Sequence, residues 1–197
     1  MSFFTYQNNR LCCEEIELSA VVRDIGTPFY MYSSRAIVTQ ARAIDEVFHD
    51  VNHLVCYSLK ANSNLAICRI IAEEGLGVDT VSSGEIYKAL NAGFAARKIV
   101  FSGVGKTDYD IRFALRNDIL SINVESLEEL AVVNELAGQM KKVAPIAFRI
   151  NPDIDPQTHP YISTGLRENK FGIDYEDALA AFQQSTGLKD FPWEKAD

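Results

Sequence analysis

A lysine directly after a predicted buried strand is the residue in this sequence best suited to covalent chemistry. The strand covers His53–Ser58, and Lys60 follows it. In parallel α/β folds, ligands bind at the carboxyl ends of the strands. An amine partly removed from water there loses its proton more readily and can attack a carbonyl to form a Schiff base. The alternative is a lysine that simply leaves the strand for solvent, where most lysines lie.

A glycine-rich stretch with a second lysine is similar to the end of a phosphate-binding P-loop. The stretch Gly103-Val-Gly-Lys-Thr107 follows a predicted strand and opens a predicted helix. A P-loop requires Gly-x-x-x-x-Gly-Lys-Ser/Thr, and Val100 stands where the first glycine should be. Without that glycine the loop cannot form the wide nest of backbone amides that holds an anion. The pattern therefore favours a glycine turn before a helix over a nucleotide hydrolase.

Composition and charge exclude several classes of partner. A net charge of −8 disfavours nucleic acid and anionic membrane surfaces, and 47% apolar residues are typical of a globular domain. The sequence has neither a signal-peptide pattern nor a membrane-spanning apolar stretch. The four cysteines form no Cys-x-x-Cys pair and have no zinc-type spacing with histidine, so no metal site is predicted. We expect free thiols in a reducing cytoplasm.

Short apolar runs alternate with helical patterns along most of the chain. The runs predict five strands, at His53–Ser58, Gly77–Thr80, Lys98–Phe101, Ile119–Val124 and Val143–Ile150. Capping signals and apolar stripes predict helices at Ser34–His49, Leu65–Glu74 and Ser83–Asn91, from Thr107, from a capping box at Ser126, and at Tyr175–Gln184. In the last helix Ala178, Leu179 and Phe182 are expected to face inward. A possible short strand, Pro28–Tyr32, precedes the repeat, and a long polar loop runs from Asn151 to about Gly172.

This alternation predicts an α/β fold with parallel strands and right-handed crossovers. An open doubly wound sheet and a TIM barrel both fit the rhythm, although a barrel needs eight units and about 250 residues. After Gly187, where a sixth strand would begin, Pro192 and several charged residues argue against a buried strand. We therefore expect an interrupted repeat of five strands.

The segments at these strand ends resemble those of one enzyme family. The stretch Tyr57-Ser-Leu-Lys-Ala-Asn62 is similar to the cofactor-lysine motif of the fold-type III pyridoxal-phosphate enzymes, which include alanine racemase and the diaminopimelate, ornithine and arginine decarboxylases. Six further segments resemble the family in order: Gly77-Val-Asp-Thr-Val-Ser-Ser-Gly-Glu85, Ile99-Val-Phe-Ser-Gly-Val-Gly-Lys-Thr107, Ile122-Asn-Val-Glu-Ser126, Phe148-Arg-Ile-Asn-Pro152, His159-Pro-Tyr-Ile-Ser-Thr-Gly165 and Lys170-Phe-Gly172. The last two are most similar to the diaminopimelate decarboxylases. The resemblance covers roughly residues 28–187.

The resemblance implies roles for polar residues at the strand ends. Lys60 would bind pyridoxal phosphate covalently and later act on the substrate carbon, with Asp79 near both. Arg149 would approach the cofactor ring and influence its electronics. Because strand ends of one sheet share a face, Lys60, Asp79 and Arg149 are expected to lie close together. Two other roles stay open, Asp79 as a helix cap and Arg149 in a salt bridge at one end of the sheet. Active-site and purely structural roles both stay open for Glu85, His159 and Lys170.

For the parent protein, the resemblance implies a partial TIM-type barrel of the alanine-racemase type. Residues 1–33 would join a β-domain, residues 34–187 would form the cofactor-binding partial barrel, and residues 188–197 would be an irregular polar tail. The implied reaction is pyridoxal-phosphate-dependent decarboxylation of meso-2,6-diaminopimelate to L-lysine, by a homodimer that acts on a small amino acid without nucleic-acid or membrane partners.

Several parts of the family's site are missing from the sequence. The family has a histidine that stacks on the cofactor, a glycine-rich phosphate loop, a Glu-Pro-Gly-Arg segment, and cysteine and tyrosine residues near the C-terminus. These belong to the second half of the barrel and to the β-domain, so this chain is expected to be incomplete and inactive alone. The alternatives are another decarboxylase or racemase of the same fold, a non-enzymatic pyridoxal-phosphate-binding protein, and an inactive fragment.

Overall fold

A small antiparallel sheet lies at the N-terminus of the computed structural model, which describes residues 3–151 and 172–186. Strands β1 (Phe4–Gln7), β2 (Arg10–Cys13) and β3 (Ile16–Glu17) pair in order, and helix α1 (Leu18–Ile25) follows. These elements were not predicted from the sequence. The possible strand at Pro28–Tyr32 was a wrong prediction, because residues 28–32 form no strand and pair with no described strand.

The Glu14 carboxylate fastens this small sheet to helix α2 (Ser34–Val47). It accepts hydrogen bonds from the Ser33 hydroxyl at 2.6 Å, from the Arg35 backbone N–H at 2.9 Å and from Arg35 Nε at 3.1 Å. The Ser33 hydroxyl also caps the helix by accepting from the backbone N–H of Ala36. The Ser33 hydrogen bond, followed by that of the Arg35 N–H, lowers the pKa of Glu14 to about 2, so the carboxylate keeps its charge well into acid.

A five-stranded parallel sheet forms the centre of the molecule. Its strands pair in chain order, so each strand after the first pairs with the one that precedes it. They are β4 (Cys56–Ser58), β5 (Gly77–Thr80), β6 (Ile99–Phe101), β7 (Ser121–Val124) and β8 (Ile146–Phe148). The helices between them are α3 (Leu65–Glu73), α4 (Ser83–Ala92), α5 (Asp108–Arg116) and α6 (Leu127–Met140). The five strands and their intervening helices confirm the predicted parallel α/β repeat.

The outer strands are shorter than predicted because they lack partners at their amino ends. Strand β4 begins at Cys56 rather than His53, since its neighbour β5 begins at Gly77, directly opposite Cys56. Gly77 is required at that point by close approach. A Cβ atom there would lie 2.8 Å from both the Cys56 Sγ and the Lys98 carbonyl oxygen. Strand β8 likewise begins at Ile146 rather than Val143, at its pairing with Ile122.

The helix starts follow the capping side chains of the sequence, with two differences of detail. Asn64 and Thr107 cap α3 and α5 as predicted. Ser82, rather than Ser83, caps α4. At α6 the Ser126 hydroxyl accepts from the Glu129 N–H, whereas the Glu129 carboxylate reaches the N–H of Glu125 instead of that of Ser126. The predicted capping box is therefore only half formed, because its second hydrogen bond goes to Glu125, one residue before the cap residue Ser126.

The two faces of the central sheet differ in polarity. One face packs against helices α2–α6 in a fully apolar core, which includes Leu59, Val78, Ile86, Ile99, Phe101, Ile111, Ile122 and Val133. The strand residues between these positions belong to the opposite, inner face, where the cross-strand row Ser58, Asp79, Val100 and Ser121 lies. Alternation of side chains along each strand thus separates an apolar outer core from a partly polar inner face.

A second, two-stranded parallel sheet follows the central sheet in the chain. Strand β9 (Ile150–Asn151) pairs in parallel with β10 (Ile173–Asp174), and helix α7 (Ala178–Thr186) follows. The position after Gly187, where a sixth strand of the repeat would begin, lies outside the described residues. Ala181 and Ser185 are buried in α7, and the Phe182 ring packs edge-on against Phe148 of β8 with ring centroids 4.9 Å apart. Leu179 is 69% exposed, so its predicted inward orientation was wrong.

Two other properties bear on the class of protein. All four cysteines are free thiols, as predicted. Among residues 3–151 and 172–186, no helix combines the length and the apolar character needed to cross a bilayer. Residues 152–171, which make up most of the loop predicted from Asn151 to about Gly172, and the tail predicted at 188–197 lie outside the described residues.

Candidate active site

Lys60 lies on a tight turn that the rest of its motif holds in place. Directly after β4, residues Leu59–Ala61 form one turn of 3-10 helix. Leu59 is fully buried in the apolar core and anchors the turn. The Tyr57 hydroxyl donates to the Asn62 carbonyl at 3.0 Å, and burial raises the pKa of Tyr57, so it remains a donor. Lys60 itself is exposed at the carboxyl end of the sheet, on a rigid support.

Other lysines near the sheet are engaged by oxygen atoms, whereas Lys60 is not. Lys88 donates to the Ser63 hydroxyl, Lys98 to the Gly75 carbonyl, and Lys142 to Asp118. Lys106 is buried among three oxygen acceptors. In the part of the chain that the structure describes, no hydrogen bond or ion pair involves the Lys60 amine. An available amine at this edge suits attack on a carbonyl.

Asp79 takes part in a chain of hydrogen bonds across the inner face. Its carboxylate accepts from the Ser102 hydroxyl, which in turn accepts from Asn123 Nδ2 at 2.9 Å. Ser121 donates to Asn123 Oδ1 at 3.2 Å and extends the chain. Asp79 does not cap the following helix, because Ser82 does so. The alternative role considered from the sequence is therefore not the one observed.

Arg149 lies between strands β8 and β9, next to Glu125 at the end of β7. Its Nη1 is 3.1 Å from each carboxylate oxygen of Glu125, whose side chain is only 5% exposed. Gly172 lies against the Arg149 backbone, and a Cβ on Gly172 would come within 2.7 Å of the Arg149 carbonyl oxygen. The salt bridge that the sequence left open for Arg149 is thus present, at the same end of the sheet as Lys60.

Glu85 has a local structural contact. Its carboxylate accepts from the backbone N–H of Val81 at 2.8 Å, and so closes the turn before α4. His159 and Lys170 lie outside the described residues, so their roles stay as predicted from the sequence.

The parallel register brings the predicted site residues to one end of one sheet. Ser58, just before the Lys60 turn, pairs with Asp79, and Val124 pairs with Phe148, just before Arg149. Sequence reasoning missed Ser102, Asn123 and Glu125 as partners of these residues. The signal was present, because Ser102 and Glu125 are polar residues directly beyond strand ends and Asn123 lies one residue before the end of β7. In the described ranges, no three His, Cys, Asp or Glu side chains are grouped as a metal site.

Three comparisons place this arrangement among known proteins. Residues 34–190 match the family described as pyridoxal-dependent decarboxylase, pyridoxal binding domain. Over 95% of its length the chain is 43% identical to a diaminopimelate decarboxylase of Haemophilus influenzae and 45% identical to that of Pseudomonas aeruginosa. It spans only 45% of each of these relatives.

Solved structures show the same likeness in three dimensions. The crystal structure of diaminopimelate decarboxylase from Helicobacter pylori complexed with L-lysine has a TM-score of 0.85 and 44% identity. That match covers 89% of this chain and 44% of the other. A lysine/ornithine decarboxylase from Vibrio vulnificus, with a TM-score of 0.69 and 21% identity, supports the fold alone. On the family match, which covers most of the chain, this protein belongs to the pyridoxal-dependent decarboxylases and carries their pyridoxal-binding domain.

Proposed function

We propose that this chain supplies the cofactor-binding part of a decarboxylase that converts meso-2,6-diaminopimelate to L-lysine. The observation that carries the proposal is the exposed Lys60 amine on its buried turn, engaged by no described residue, at the same sheet end as Asp79 and Arg149. The relatives named as diaminopimelate decarboxylases, and the L-lysine in one solved structure, support the choice of substrate and product.

The described residues suit pyridoxal phosphate. An aldehyde needs an accessible amine, which Lys60 offers, and Asp79 would supply a carboxylate near that amine and the cofactor. When bound, the cofactor would supply an electron sink for the electrons that carbon dioxide leaves behind.

Each residue would have a distinct task in the reaction. Lys60 would hold the cofactor through its amine and would move a proton at the substrate carbon. The Ser102 hydroxyl fixes the orientation of the Asp79 carboxylate on the inner face. The Glu125 carboxylate holds the Arg149 guanidinium at the end of β8, so that a cation is available beside the ring. Preorganised charges of this kind need little rearrangement during reaction.

The domain arrangement follows from the same proposal. Residues 34–187 would form the cofactor-binding part of a barrel, residues 1–33 would join a β-domain, and residues 188–197 would be a polar tail. In the full-length protein we expect a cytoplasmic homodimer, with the second half of the barrel supplying the remaining cofactor contacts.

Borohydride reduction of the full-length protein with bound pyridoxal phosphate tests the proposal. Reduction should fix the cofactor irreversibly to one lysine, and peptide mapping should find it on Lys60 because the other described sheet lysines are engaged. Lys60→Ala should abolish the label and carbon dioxide release from diaminopimelate, whereas Lys88→Ala should retain both. A label on Lys88, Lys106 or Lys170 would overturn the assignment of Lys60. Release of carbon dioxide from lysine, ornithine or arginine, but not from diaminopimelate, would show that the proposed substrate is wrong.

A further inference from the structure

Lys106 is a buried cation that the proposed chemistry does not use. Its side chain is 1% exposed, and its Nζ lies 5.4 Å from the centre of the Phe101 ring. The amine donates to the Gly103 carbonyl at 2.6 Å and to the Asn123 carbonyl at 2.7 Å. A lysine is rarely buried unless each of its donors has an acceptor. The third acceptor of Lys106 shows which other part of the structure this lysine holds in place.

That acceptor is Glu129, which connects Lys106 to the end of strand β7. Glu129 Oε1 accepts from Lys106 Nζ at 2.6 Å, and Glu129 Oε2 accepts from the backbone N–H of Glu125 at 3.0 Å. One carboxylate thus joins a buried cation to the backbone of the residue that holds Arg149. With Lys106 in place, the Glu129 charge is balanced and its second oxygen is fixed in direction.

The chain of contacts ends at the proposed cofactor site. The Glu125 side chain is 5% exposed and its two oxygens both lie 3.1 Å from Arg149 Nη1. A buried carboxylate has few alternative orientations, so its position depends on its backbone, which Glu129 holds. Arg149 is 39% exposed in its side chain, so part of it remains accessible at the sheet end.

We infer that Lys106 is a positioning residue for the cofactor site, acting through Glu129 and Glu125 on the Arg149 guanidinium. This inference rests on the proposed function, because it takes Arg149 to contact the cofactor. The glycine turn that carries Lys106 then has a use unrelated to nucleotide phosphates. Its lysine points back into the sheet and ties the β6–α5 loop to strand β7 and helix α6.

A double-mutant cycle on pyridoxal-phosphate affinity distinguishes positioning from general stabilisation. In the full-length protein, the dissociation constant is measured by equilibrium dialysis for wild type, Lys106→Met, Arg149→Met and the double variant. Loss of one charge-assisted hydrogen bond predicts a rise of roughly tenfold for Lys106→Met. If Lys106 acts through Arg149, the same change in the Arg149→Met background adds almost nothing.

Two further variants test whether a loss of cofactor affinity is caused by misfolding. Glu129→Gln keeps an oxygen acceptor and the size of the side chain, so it should fold and should show a smaller loss of affinity with the same non-additivity. Lys142→Met is the matched control, because Lys142 also bonds a carbonyl and a carboxylate, Leu115 and Asp118, before the amino ends of β7 and β8. Its affinity should equal that of wild type.

The outcomes separate the two proposals. The positioning role would be wrong if Lys106→Met lowered the affinity equally in the wild-type and Arg149→Met backgrounds. It would also be wrong if either Lys106→Met or Glu129→Gln left the affinity unchanged. Neither result would contradict the proposed function. A loss for Lys142→Met as large as that for Lys106→Met would also overturn the positioning role. Failure of wild type to bind the cofactor would overturn the proposed function, and the inference with it.

Discussion

A single methyl group added at Gly172 should disturb the proposed site directly. It has a φ of +84°, and its Cα faces the backbone of Arg149. The left-handed region is open to glycine and costs other residues about 1–2 kcal/mol. Because the space for a Cβ is also taken by the Arg149 carbonyl, a side chain at this position would displace the β8–β9 junction.

Gly172→Ala should therefore destabilise the protein and weaken cofactor binding together. The left-handed backbone alone predicts a loss of about 1–2 kcal/mol in the free energy of unfolding, and the contact with Arg149 adds to it. Urea unfolding and cofactor titration measure the two effects. Gly84→Ala is the control, because the nearest atom to its Cβ would be 3.7 Å away and the residue lies in a helix. If both variants were equally stable, Gly172 would have no special role.

At the scale of elements, Asp110 joins the starts of two neighbouring helices. Its carboxylate accepts from the backbone N–H of Ser83 at 2.9 Å and from the N–H and hydroxyl of Thr107. Burial alone would raise the pKa of Asp110, but the hydrogen bonds from Ser83 and Thr107 outweigh burial and lower it to about 2. The contact links α4 to α5 directly beside strands β5 and β6.

The lowered pKa of Asp110 gives this contact a defined pH dependence. The carboxylate stabilises the fold fully above its ordinary pKa of 3.8, and that stabilisation is lost as the pH falls through about 2. Asp110→Asn should lower the free energy of unfolding at pH 7 by about 1–2 kcal/mol, because it removes charge-assisted hydrogen bonds. Urea unfolding from pH 7 to pH 2.5 should show the difference from wild type narrowing below pH 4. A difference that is constant across this range would contradict the role of the charge.

The helices and strands near the centre of the sheet were predictable because local signals decide them. Gly77–Thr80 was predicted without error, and Asn64 and Thr107 mark helix starts in the sequence itself. The amino ends of β4 and β8 were predicted too early, since a strand begins only where its neighbour offers a partner. The hydrophobic periodicity of one segment does not show where the neighbouring strand in the sheet begins.

The positions of the candidate site residues at one end of the sheet could be predicted from the sequence, but their contacts could not. Lys60, Asp79 and Arg149 were chosen because their strand-end segments resemble those of one family. Their partners Ser102 and Glu125 come from neighbouring strands, and only the register shows which side chains meet. The two-residue strand β10, Ile173–Asp174, has too short an apolar run to be recognised before its pairing with β9 is known.

At the scale of the whole molecule, strand β4 has a described neighbour on one side only. Next to it, Ile37, Ala41, Val55 and Ile71 help to line an apolar cavity of about 300 Å³. The solved and curated relatives are about twice as long as this chain. In a full-length protein of that length, we expect the remaining half to cover this edge. Each 100 Å² of apolar surface left in water forgoes about 2.5 kcal/mol of stabilisation.

A polypeptide of residues 1–197 alone should consequently bind pyridoxal phosphate weakly and release no carbon dioxide from diaminopimelate. The open edge also invites association with other chains through unpaired backbone groups. Absorbance of the bound cofactor, carbon dioxide release and light scattering measure the three properties. The full-length protein, at the same concentration, is the control. Turnover by the isolated polypeptide at a rate similar to the full-length protein would contradict the expectation.

The order of strands in the sheet also has a consequence for how the protein is made. Each strand from β5 to β8 pairs with the one synthesised before it, across a single helix. A ribosome adds about 5–20 residues per second, whereas helices and short loops form within about microseconds. Every new strand therefore finds its partner already in place as it leaves the ribosome. Among the described residues, the outer edges of β4 and β8, the two end strands of the sheet, gain no partner in this way.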